Sequence, residues 1–231
     1  MIQISNLSKK YGETVVFSDV NYTFENACIY GLVGRNGAGK TTLLNILSNY
    51  DKNYTGVISI DRKKMNKVDY LDMPVAYAMD QPSFFNELTI YENLLLIASS
   101  RKIKKQEAFD KIERILDGLG LKKYENYSPL ELSKGTMQRL NNACAMIQEE
   151  KITIFDEPFS GLDPVQMKLL ENVIVEFHKK EKGIYIISSH DIECLQNVCD
   201  KCLLLHNGQI REINMEEVDR EEIAKILSEG E

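Results

Sequence analysis

In the run GLVGRNGAGKTTLL, residues 31–44, Gly34, Gly39, Lys40 and Thr41 stand at the spacing G-x-x-x-x-G-K-[ST]. A short apolar strand from Ile29 to Val33 runs into it, and Thr41 to Leu47 continue with helical period. Glycines let the backbone wrap a phosphate with its N–H groups pointing inward, and the helix N-terminus adds its dipole. Lys40 can bridge outer phosphates, and the Thr41 hydroxyl can ligate Mg²⁺. Three more strands end in polar groups. ITIFDEP closes on Asp156 and Glu157. A carboxylate at the C-terminal end of a parallel strand lies on the ligand edge of such a sheet. Asp156 is the expected Mg²⁺ partner, directly or through water, and Glu157 the candidate general base for an attacking water. YIISSHD brings His190 to the same type of edge, where it can contact a terminal phosphate. AYAMDQP offers Gln81, able to reach Mg²⁺ or water. A lysine, acids, an amide and an imidazole on four strand ends describe a site for nucleotide hydrolysis.

Such ends need a sheet to hold them. Ile2, Ile4 and Leu7, then Val20, Tyr22 and Phe24, alternate with period two and predict an antiparallel region at the start. Val57–Ile60 and Val75–Met79 are further strands. Residues 86–150 are mostly helical: Thr89 and Glu92 form a capping box before Ile90–Ala98, and Lys104–Leu116 is amphipathic, with Gly118 or Gly120 to end it. Ser133 can cap a third helix that carries Leu140, Ala143, Cys144 and Ile147 on one face. From residue 152 strands and helices alternate: strand 152–155, helix from about 164 to 180, strand 184–188, helix from about 191. A hairpin at Asn207-Gly208 and a charged helix from Glu216 follow. This order predicts an α/β fold with a mainly parallel core sheet, an N-terminal antiparallel β region and an inserted helical subdomain, all in one domain over residues 1–231.

Composition narrows the function. The net charge is −7 and the basic pairs are scattered, which argues against a nucleic-acid partner. No window approaches the roughly 18–20 apolar residues needed to cross a bilayer, so direct membrane insertion is not expected. Residues 1–20 lack an apolar leader core and the cysteines number 5, so free thiols in the cytoplasm are expected. Cys194, Cys199, Cys202 and His206 lie close in sequence, but Cys202 enters an apolar strand; packing accounts for them better than a zinc site does.

Taken together, these residues resemble the nucleotide-binding subunits of ATP-binding cassette (ABC) transporters, P-loop NTPases, along essentially the whole chain. GRNGAGKTT resembles the Walker A motif, with Gly34, Asn36, Gly37, Gly39, Lys40, Thr41 and Thr42 as nucleotide contacts. Tyr11 matches the aromatic that stacks on adenine, Gln81 the Q-loop glutamine, IFDE Walker B, Ser160–Asp163 the D-loop and His190 the switch histidine. LSKGTMQRL stands where the family's signature does. The resemblance implies an Mg²⁺-dependent ATPase, with Thr41, Gln81 and Asp156 at the metal and Glu157, His190 and Gln81 in catalysis. It implies a second such subunit, each ATP lying between Walker A of one chain and Ser133 and Gly135 of the other. It also implies separate membrane-spanning permease subunits and a place on the cytoplasmic face of the cell membrane.

The family's common signature is LSGGQ, whereas this chain has Leu132-Ser133-Lys134-Gly135-Thr136. A serine-lysine-glycine start is similar to that of some antibiotic and multidrug exporters, which tilts the expected direction towards export. Lys134 either adds positive charge at the phosphate or points to solvent. The rival reading is a soluble ABC ATPase without transport, such as the iron–sulfur assembly type, whose cassette also has no membrane segment.

Overall fold

The structure is a computed structural model describing residues 1–68 and 72–213; the helix expected from Glu216 lies outside the described residues. Among the described residues, ten strands form two sheets. β1 (Ile2–Tyr11), β2 (Thr14–Phe24), β4 (Thr55–Ile60) and β5 (Lys63–Lys64) make an antiparallel sheet in the order β2-β1-β4-β5. Its alternating side chains place Ile2, Ile4, Leu7, Phe17, Val20 and Phe24 in the core. β2 starts well before the expected Val20 because Phe17 extends the buried side while Val15 stays in solvent.

The second sheet contains β3 (Cys28–Val33), β6 (Val75–Ala78), β7 (Ile152–Phe155), β8 (Ile184–Ser189), β9 (Lys201–His206) and β10 (Gln209–Ile213), in the order β10-β9-β3-β8-β7-β6. Only the β9–β10 pair is antiparallel among these neighbours. β3, β7 and β8 are buried along their whole length, as expected of parallel strands covered on both faces. Asn207 and Gly208 turn the final hairpin with φ of 48° and 70°, the two positive values of a type I′ turn.

Helix α1 (Lys40–Leu47) shares one apolar cluster with both sheets: its Leu43, Leu44, Ile46 and Leu47 join Ile4, Phe24, Leu32 and Ile186. The loop between β3 and α1 is thereby anchored at both ends. A second cluster lies on the other side of the parallel sheet. There α2 (Ile90–Ser100), α3 (Lys105–Gly118) and α4 (Lys134–Met146) meet α5 (Pro164–Glu181), while the short α6 (Ile192–Gln196) adds Leu195. α2, α3 and α4 form the inserted helical subdomain. The Thr89–Glu92 capping box opens α2: Thr89 Oγ1 accepts from Glu92 N at 3.2 Å and Glu92 Oε2 from Thr89 N at 2.8 Å. Gly118 is the last helical residue of α3, and Gly120, at φ +61°, makes the turn that follows.

Lys111 ties this subdomain to the core. Its side chain is 1% exposed and its Nζ lies 2.7 Å from Glu149 Oε1 and 3.0 Å from Glu181 Oε1. Lys111→Met keeps the apolar stem but leaves two carboxylates facing each other. Because Glu149 stays 34% exposed, the expected loss is about 2–3 kcal/mol, below the ~3–5 of a fully buried pair; urea unfolding measures it.

Candidate active site

β3, β8, β7 and β6 are neighbours and parallel, so their C-terminal ends meet at one edge of the sheet. A cleft of about 540 Å³ opens there. Asn36, Gly37, Gly39, Lys40, Thr41 and Thr42 line it from the β3–α1 loop, Glu157 and Ser160 from beyond β7, His190 from beyond β8, and Tyr11 from the end of β1. Gly39 caps α1 at φ +99°, and a Cβ there would stand 2.7 Å from Val16 Cγ1. Any other residue would be strained at that φ and would have to displace the Val16 side chain. Gly34 is buried beneath the loop, its carbonyl accepting from Lys40 Nζ at 2.7 Å.

Lys40 is a buried cation, and its Nζ lies 3.6 Å from Glu157 Oε1. The other oxygen of Glu157, Oε2, is 2.9 Å from His190 Nδ1. Glu157 itself has φ of 49°, a costly conformation of about 1–3 kcal/mol for a residue with a Cβ. It is held by Ser188. The Ser188 hydroxyl donates to Asp156 Oδ1 at 2.6 Å and accepts from Glu157 N at 2.9 Å, so one oxygen fixes both acids. No motif in the sequence marks Ser188. The signal in the sequence is a hydroxyl directly after the largely apolar run of residues 184–187, which needs a partner when buried.

Asp156 is 1% exposed. Burial pushes its carboxyl above the ordinary range; hydrogen bonds from Ser188 and Thr41 pull it back, and the charges of Glu157 and Asp80 push it further up. A divalent cation would relieve that buried charge. The donors at hand, the Thr41 hydroxyl and the Asp156 carboxylate, are hard oxygens of the kind Mg²⁺ takes. Among the described residues, no three His, Cys, Asp or Glu groups gather to hold a metal by themselves.

Tyr11 stands 53% exposed at the cleft mouth, with Lys9 Nζ 4.4 Å from its ring centre and its hydroxyl 3.1 Å from Asp51 Oδ2. Lys9 is in turn paired with Asp51 at 2.6 Å. The ring is thus braced from below and open to a flat partner.

Two expected residues are placed elsewhere. Gln81 is exposed and does not line the cleft; Asp80, one position earlier, does. Asp163 caps α5, accepting from Gln166 N at 2.9 Å, and it is Ser160 of the same loop that enters the cleft.

Ser133 and Gly135 also lie outside this cleft, at the N-terminus of α4. Ser133 caps α4 as expected, accepting from Thr136 N at 3.3 Å. Its Oγ is 2.9 Å from Thr136 Oγ1, which accepts from Arg139 Nη2 at 3.2 Å. Gly135 packs on the Ser160–Asp163 loop, and a Cβ there would meet Gly161 O at 2.9 Å. Ser133 and Lys134 are exposed.

Comparison with known proteins decides the family: the ABC transporter family model matches residues 17–160. The chain belongs to the ABC transporter family. The match includes the phosphate loop, the start of α4 and the Asp156–Ser160 segment. Membership identifies an ATP-binding and ATP-hydrolysing subunit that works in transport. A bacitracin transport ATP-binding protein of Enterococcus faecalis is 30% identical over 95% of this chain and 71% of its own. A tungstate uptake system ATP-binding protein of Peptoclostridium acidaminophilum is also 30% identical, over 91% and 97%. A solved ATP-binding subunit of an ABC transporter superposes with a TM-score of 0.85 at 27% identity, covering 99% of this chain and 95% of that one. Within this ABC ATPase, no described helix is long and apolar enough to cross a membrane.

Proposed function

We propose that this chain is the Mg²⁺-dependent ATPase subunit of an ABC transporter whose membrane-spanning subunits are separate chains. One observation carries the catalytic reading: Glu157 stands between the buried cation Lys40 and His190, at 3.6 and 2.9 Å, on the edge where the phosphate loop begins α1. ATP lies with its phosphates against Asn36–Thr42 and its adenine on Tyr11. Thr41 and Asp156 would hold Mg²⁺, which when bound shields phosphate charge and orients the terminal phosphate. Glu157 takes the proton of the attacking water, and His190 orients Glu157 and contacts the γ-phosphate. Lys40 stabilises charge that builds on the transferred group.

Ser133 and Gly135 serve a second copy. They offer an uncovered hydroxyl and helix N-terminus outside their own cleft, which suits a phosphate presented by another subunit. Two chains therefore sandwich two ATP molecules head to tail, and the Ser160–Asp163 loop, in contact with Gly135, lies along that seam. Export is the direction we favour, on the Ser133-Lys134-Gly135 start and the likeness to a bacitracin transport protein. Transport assays in inverted vesicles decide it, since an uptake protein is equally similar.

The experiment that tests the transport reading is affinity capture from native membranes in mild detergent. Recovery of a polytopic membrane protein supports a subunit on the cytoplasmic face of the cell membrane. Recovery of soluble iron–sulfur assembly factors alone would favour the rival.

A further inference from the structure

The end of β6 carries an acid into the cleft where an amide was expected. Asp80, exposed at the rim, shares the lining with Thr41, Glu157 and His190, whereas Gln81, also exposed, does not line the cleft. We infer that Asp80 is a second carboxylate on the metal side of the nucleotide, and that it makes the cleft take ATP only as the metal complex. The inference rests on the reading of the cleft as an Mg²⁺–ATP site.

The argument is one of charge. Asp80, Asp156 and Glu157 belong to one electrostatic group: Asp156 feels both of the others, and Tyr77, which bonds Asp156 at 3.4 Å, feels Asp80 as well. Against them the cleft sets Lys40 and Arg35. Lys40 is already engaged by Glu157. A bare triphosphate entering this edge meets Asp156 and Asp80, neither of which forms an ion pair among the described residues, while Glu157 already occupies Lys40. Asp156 and Asp80 would help to hold a divalent ion, whose charge would turn the same groups from repulsive to attractive towards phosphate. Mg²⁺ commonly uses one or two carboxylates together with substrate phosphates, so the added acid exceeds no coordination limit. A glutamine at this point would be neutral and would not discriminate between bare and metal-bound nucleotide in this way. Asp80 acts on binding in this scheme; Glu157 remains the base.

The test is equilibrium binding of a fluorescent N-methylanthraniloyl ATP, followed by anisotropy with Mg²⁺ and with EDTA, on the wild type, Asp80→Asn and Gln81→Ala. Wild-type affinity should fall by roughly 30-fold or more when the metal is withdrawn. In Asp80→Asn, metal-free affinity should rise by roughly tenfold, the size of one unit-charge repulsion at several ångströms in a half-solvated site. The gain from Mg²⁺ should shrink by the same factor. Gln81→Ala should match wild type within about twofold under both conditions, because a neutral exposed side chain contributes no such repulsion. Titrating Mn²⁺ into the protein with saturating nucleotide, by electron paramagnetic resonance, gives a second readout: Asp80→Asn should hold the ion more weakly.

If Asp80→Asn keeps the wild-type metal dependence, or loses affinity equally with and without metal, the inference is overturned. It is also overturned if Gln81→Ala reproduces the charge effect. Absence of saturable binding by wild type with Mg²⁺ would overturn the nucleotide reading itself, and this inference with it.

Discussion

Glu157→Gln is expected to slow ATP turnover by about 10²–10⁴-fold, the range lost with a general base, while ATP still binds. The amide keeps the size of the side chain and can still bond His190 Nδ1, which Glu157 Oε2 meets at 2.9 Å. It cannot take a proton from water. It also removes a negative charge 3.6 Å from Lys40, freeing that cation for phosphate, so nucleotide affinity should hold or rise. Binding without cleavage should trap the closed pair of subunits. Phosphate release measures the first effect and size-exclusion chromatography with ATP the second. Turnover at the wild-type rate would remove Glu157 from the role of base.

The second large effect concerns two chains. Lys40→Ala removes the buried cation of the phosphate loop, and Ser133→Asp opposes the incoming phosphate with a negative charge. Aspartate is a good N-cap, so α4 should still form. Each variant alone should retain less than about one-hundredth of wild-type ATPase activity, as when a preorganised charge-stabilising donor is lost. Mixed together, the two should recover. In a mixed pair, the intact loop of the Ser133→Asp chain faces the intact α4 of the Lys40→Ala chain. Roughly a quarter of wild-type activity is expected, half of the dimers being mixed and each holding one whole site. If mixing restores nothing, Ser133 acts within its own chain and the head-to-tail arrangement is wrong.

Much of this architecture was legible because local signals agreed with one another. The glycine spacing of residues 34–41 sits between a strand and a helix, and Asn207-Gly208 and the Thr89–Glu92 box name their own geometry. What escaped depends on contacts between distant segments. Ser188 became informative only when β8 was placed beside β7. Asp80 and Gln81 are adjacent and both polar, and successive side chains leaving a strand diverge, so one residue of uncertainty exchanges the group that faces the cleft for the one that faces solvent. Asp163 lies in the expected loop, yet its carboxylate is spent on the backbone of α5 while Ser160 reaches the cleft.

Arg139, Thr136 and Ser133 form one run of hydrogen bonds at the start of α4. Arginine can only donate, so Thr136 Oγ1 accepts from Arg139 Nη2. The Thr136 N–H donates to Ser133 Oγ, and the two hydroxyls share a further bond in which either can be the donor. The Ser133 oxygen is held in place while its hydrogen keeps a choice of partner. An anion arriving at this end would draw that hydrogen outward, and Thr136 can then give its own to Ser133. The start of α4 can thus turn from a closed pair to an offered donor by rotating two hydroxyls, with no movement of the backbone.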